Sequence, residues 1–126
     1  MLEFRRLATL SAIICFELAA TWLVTPWLVP LIWGVPHSAA VGVFGRQSGA
    51  LFLGFGVLLW RARTLEPSPA RKAISCGFIA ACIALAICSL FDLAAGHAWW
   101  GILSAVAVEL ALAAGFIVVL GKDRSN

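Results

Sequence analysis

Two carboxylic acids, Glu17 and Glu109, lie inside long apolar runs. Each is roughly 15 Å of helix from the charged end of its run, at about 1.5 Å per residue. That depth is near the middle of a bilayer, where an ionisable side chain is costly and is read first as functional. Two such acids brought together would share a proton, which suits proton-coupled transport of a small molecule. The structural alternative is that each carboxyl is hydrogen-bonded to a backbone carbonyl or to a hydroxyl such as that of Thr21.

A second group of polar residues, Arg46, Asp92, His37 and His97, belongs to the opposite side of the sequence plan from both termini. Arg46 falls about 7 Å below the end of its run, and its side chain leans towards Asp92 at the same face. An Arg46–Asp92 ion pair is therefore expected, with snorkelling of Arg46 to the lipid phosphates as the alternative. Two histidines and an aspartate have ligand chemistry, but their spacing defines no ligand set, so neither a metal nor a cofactor is assigned. Cys15, Cys76, Cys82 and Cys88 form no Cys-x-x-Cys pair and read as small packing residues. No nucleophile, phosphate loop or paired glycosidase acids are recognisable, so no catalytic residue is named and an enzyme is not expected.

The elements that position these groups follow from hydropathy. The chain has 126 residues, of which 63% are hydrophobic and 12% charged, with a mean hydropathy of +1.02. Apolar runs long enough to cross a bilayer make this an all-α integral membrane protein. A single domain is expected, a four-helix bundle with spans near 7–24, 41–60, 73–91 and 99–120. The uncharged stretch 27–43, interrupted by Pro30 and Pro36 and preceded by Pro26, is too broken to span. It reads as an interfacial segment anchored by Trp27 and Trp33, with a re-entrant segment as the alternative. A basic start before an apolar run also fits a signal peptide. Continuation of that run through Trp22, Leu23 and Val24 favours a retained span.

Of the nine Lys and Arg residues, all but Arg46 fall in the N-terminal tail, the 61–72 loop or the C-terminal tail. The positive-inside rule then places both termini in the cytoplasm, with a bacterial inner membrane as the expected location. The net charge of +3 is small and its residues are not aligned on one face, which argues against a nucleic-acid partner. Trp22, Trp27, Trp33, Trp99 and Trp100 gather at the outer interface. They form an aromatic belt or, alternatively, the lining of a lipid or quinone head-group site. Small residues mark packing faces: Gly45, Gly49, Gly54 and Gly56 in span two, Ala80, Ala84 and Cys88 in span three, and Gly101, Ala105 and Ala113 in span four. In span one, Ala12, Cys15 and Ala19 share a face from which Glu17 points away, towards lipid or another subunit.

The stretch from Arg46 to Arg63, rich in glycine and leucine, resembles the second span of DoxX-like and related small four-helix bacterial membrane proteins. The resemblance implies a four-helix bundle and no particular activity. Arg46 and Gln47 stand where an early carboxylate is expected in DoxX proteins, so no DoxX role is carried over. The segment Glu17-Leu18-Ala19-Ala20-Thr21 is similar to the first span of small multidrug resistance transporters, which implies Glu17 as a proton and cation site. The later spans do not follow that pattern. The expected function is therefore that of a small polytopic protein without catalytic chemistry, such as an accessory subunit of a membrane complex. Its partners would be the bilayer, further copies of itself or other membrane subunits. A proton-coupled transporter using Glu17 or Glu109 is the alternative.

Overall fold

Ser38 and Ser68 start two of the helices. Each Oγ accepts a hydrogen bond from the backbone N–H three residues on, of Val41 and of Arg71, both at 3.2 Å, and so satisfies a donor that the helix cannot. Pro69 follows Ser68 in the first turn, where its missing N–H costs nothing. The computed structural model describes residues 2–125. In order the elements are α1 (Leu2–Val24), α2 (Leu28–Ile32), α3 (Ala39–Ala62), α4 (Pro69–Ala94), a 3-10 turn (Trp100–Ile102) and α5 (Leu103–Ser125).

Over the described residues the fold is all-α, with four helices long and apolar enough to cross a membrane. The helices outrun the apolar spans read from sequence. Charge ends a hydrophobic run, whereas a helix continues to its cap. Arg71 and Lys72, read as loop, therefore lie in the first turns of α4.

The bundle consists of two hairpins. α1 packs along α3 and α4 along α5, while α1 meets α5 more lightly and α3 scarcely touches α4. Glycine sets the intimacy of the first hairpin. A methyl group added at Gly45 would lie 2.8 Å from Pro26 Cβ, at Gly49 2.9 Å from Leu23 Cγ, and at Gly56 2.7 Å from Phe16 Cε1. The α3 glycines thus receive Phe16, Trp22 and Leu23 of α1 and Pro26 beyond it at close range. Ala8, Ala12 and Cys15 of α1 are buried in the core cluster.

Two expected packing faces are corrected. Gly54 has open space where a side chain would go, so it is not part of the α1 contact. Ala80, Ala84 and Cys88 are exposed, and α4 instead buries Arg71, Ser75, Phe78, Cys82, Ala86 and Ser89. In lipid, small apolar residues lose little by facing outward.

The end that carries both termini is closed. Phe78 packs edge-on against Phe116 at 5.2 Å and against Phe55 at 5.9 Å, and Phe4 packs on Phe116 at 6.1 Å. Over this cluster lies Arg71, only 1% exposed, with its guanidinium carbon 3.9 Å from the Phe4 ring centre. Its Nη2 is 2.9 Å from Asp123 Oδ2, and its Nη1 donates to the Leu65 carbonyl at 3.4 Å. Nearby, Lys122 bridges to Glu3 at 2.9 Å on the exposed surface.

Four substitutions test this packing by their stability in detergent. Gly45→Ala should destabilise the protein by about 1–3 kcal/mol through overpacking. Gly54→Ala should be neutral or add up to about 1 kcal/mol through lower backbone entropy. Asp123→Asn leaves the buried guanidinium without its counter-charge and should cost about 3 kcal/mol. Glu3→Gln should leave the unfolding temperature nearly unchanged, because that ion pair is exposed.

Candidate functional site

Beyond the Phe4–Phe116 contact the two hairpins part, and the space between them is a cavity whose inner lobe reaches Phe55 and Phe78 of the aromatic cluster. It has two adjoining lobes of about 520 and 350 Å³ that share Leu18, Phe52, Leu85, Ala105 and Glu109. The lining runs from Ile102 in the 3-10 turn to Leu112 of α5, about 15 Å. Val41, Phe44 and Ser48 of α3 form one rim, and Leu85, Cys88 and Asp92 of α4 form the other. Because α3 and α4 scarcely touch, the cavity opens sideways between them, towards the space a bilayer would fill.

The segment between α1 and α3 roofs the cavity with Val29, Pro30 and Trp33. It is packed onto the ends of the long helices. Trp33 meets Trp22 edge-on at 6.0 Å, and its carbonyl accepts a hydrogen bond from the Trp99 N–H at 2.6 Å. Gly34, at φ +77°, turns the chain where the Trp99 ring leaves no room for a side chain. Gly101 is equally required, since a methyl group there would sit 2.5 Å from the Ile32 carbonyl oxygen. Trp27 remains exposed on the surface.

Glu109 lines both lobes and is half-buried. Its Oε2 is shielded and has no hydrogen-bond partner among the described residues. Glu17 lies elsewhere. It is exposed on the outside of α1, in a shallow dent with Ile13, Phe16, Ala20 and Trp60. The two acids are not brought together, so a proton shared between them is not what this fold builds. Thr21 does not serve the Glu17 carboxyl either, because its hydroxyl donates to the Glu17 backbone carbonyl at 2.9 Å.

The four polar residues of the opposite end separate into three places. Asp92 and His97 are paired, Oδ1 to Nδ1 at 3.3 Å. His37 stands edge-on to Trp27 at 5.7 Å. Arg46 is exposed and has no ion pair among the described residues. Its Nη1 reaches back beside Gly42, one turn nearer the end of α3. The expected Arg46–Asp92 bridge is thus replaced by a His97–Asp92 pair and a snorkelling arginine. Among the described residues, no three His, Cys, Asp or Glu side chains gather as a metal would require. Cys15 and Cys82 are buried at the inner lobe, whereas Cys76 and Cys88 are exposed.

Sequence reasoning missed Arg71 and the cavity. For Arg71 a signal existed. The Ser68-Pro69 cap places it in a helical first turn, on the face of Ser75, Phe78 and Cys82. The cavity depends on how two hairpins diverge, which no local pattern encodes. Comparison with protein-family models, curated proteins and solved structures returned no match to this chain. The separation of Arg46 from Asp92 is testable by a double-mutant cycle. The losses from Arg46→Ala and Asp92→Ala should add to within about 0.5 kcal/mol, and a larger coupling would place them in contact.

Proposed function

We propose that this protein is a non-catalytic subunit of a membrane complex, held to its partner through the lipid-facing side of the α1–α3 hairpin. One observation carries the reading: Glu17, in mid-span, is exposed and its carboxyl meets no donor among the described residues. An acidic residue at the centre of a bilayer costs about 2.5–3.5 kcal/mol on insertion scales. A donor on a neighbouring helix removes that cost. Ala20, one turn along α1, leaves room for such a helix, and Ile13, Phe16 and Trp60 complete an apolar collar around the acid. The partner is therefore a transmembrane helix carrying a basic or hydroxyl side chain at mid-depth. The four-span plan of the DoxX-like kind, the bacterial inner membrane and cytoplasmic termini belong to the same proposal. They are supported by the four apolar helices and by the distribution of Lys and Arg.

Native mass spectrometry after mild-detergent extraction tests the assembly. A second polypeptide should be retained by the wild type and lost from a folded Glu17→Leu variant. Recovery of both forms only as monomers or homodimers contradicts the proposal. For topology, a membrane-impermeant maleimide added to intact cells should label Ser38→Cys, whereas Ser68→Cys should react only after lysis. Labelling of both from one side would overturn the orientation.

A further inference from the structure

We propose that the cavity between the hairpins binds a lipophilic amine, with its apolar body along the walls and its ammonium group on Glu109. The larger lobe, at about 520 Å³, is within the usual size of small-molecule sites, and an apolar lining with few polar groups is their common character. The walls include Trp22, Trp33 and Phe52, surfaces suited to a ring or a branched chain. Apart from His97, the ionisable lining is carboxylate: Glu109 borders both lobes, Asp92 the larger one, and among the described residues no Lys or Arg lines either. Asp92, at the rim, already has His97 at 3.3 Å. Glu109, deeper, has a shielded oxygen without a hydrogen-bond partner among the described residues.

The choice of ligand follows from that imbalance. A hydrocarbon chain would fill the space and leave the Glu109 oxygen unsatisfied, at the full desolvation cost of a buried polar group. A fatty acid would bring a third carboxyl group into a lining that already holds two. An alcohol would supply one neutral hydrogen bond. An ammonium group supplies a charge-assisted one, roughly twice as strong, and neutralises the acid in the same contact. Entry needs no aqueous route. Lipophilic amines partition into bilayers, and the gap between α3 and α4, with Phe44 exposed at its rim, faces that phase. The site is independent of the Glu17 surface, which lies on the outside of α1.

The test is calorimetric titration of the full-length protein in phosphatidylcholine nanodiscs, with empty nanodiscs subtracted for partitioning. The probes are 4-phenylbenzylamine and its near-isostere 4-phenylbenzyl alcohol. The amine should bind at least about tenfold more tightly, a difference of about 1.4 kcal/mol. Glu109→Gln, which keeps the shape and removes the charge, should erase that preference. Glu66→Gln makes the same change of net charge on the exposed 63–68 loop and should leave it intact. Equal affinity for amine and alcohol, an undiminished preference in Glu109→Gln, or absence of binding by either probe would overturn the proposal. If Glu109→Gln fails to fold, the comparison of amine with alcohol on the wild type decides it alone.

Discussion

Arg71 buries its guanidinium at the end of the bundle that carries both termini, and it can do so only because groups from three other segments reach it. Asp123 of α5 supplies the counter-charge, Leu65 of the connecting loop supplies a carbonyl, and Phe4 of α1 supplies a ring face. Removing a charge from water costs several kcal/mol unless it is met in this way. The geometry of all four segments is therefore fixed at one point. The aromatic cluster of Phe4, Phe55, Phe78 and Phe116 lies next to it and fills the same end of the bundle. Two hairpins that have little other reason to adhere, since lipid solvates their sides as well as protein does, are joined there.

The other end has no equivalent joint between α3 and α4. Gly45 and Gly49 bring α3 tightly onto α1, and α4 stays with α5. The divergence leaves a cavity that the chain covers from above, by threading Pro26 to Val35 across the helix ends and fastening Trp33 to Trp22 and Trp99. Glu109 lines both lobes. One acid thus faces the cavity between hairpins and the other, Glu17, faces the exterior. The same side-chain chemistry at similar depth is set to two different uses by the helix face that carries it.

Much of the fold could be read from the chain. The apolar runs identify four helices, Gly45, Gly49 and Gly56 mark where α3 presses on α1, and the Ala12, Cys15 and Ala19 stripe marks the buried face of α1. The outward direction of Glu17 follows from the same wheel. Gly54 and the Ala80, Ala84, Cys88 stripe misled, because small size permits close approach without requiring it. Arg46 and Asp92 misled for a different reason. Both belong to the same end of the bundle, but depth along a helix says nothing about azimuth, and His97, five residues from Asp92, was the nearer partner. Arg71 was counted as a topological charge, and its burial depends on Asp123, which is 52 residues away in sequence.

The bundle is closed near its termini and open between hairpins further along. Two alanines of α5 report on the two halves: Ala113 is buried in the core cluster, and Ala105 lines both lobes of the cavity. Thermal unfolding of Ala113→Leu and Ala105→Leu in the same lipid nanodiscs compares them directly. Ala113→Leu should destabilise by about 1–3 kcal/mol, the usual cost of forcing extra carbons into a packed interior, whereas Ala105→Leu should be neutral or stabilising because its side chain enters existing space. Equal losses at both positions would mean that the hairpins are packed together along their whole length, and the cavity would not exist.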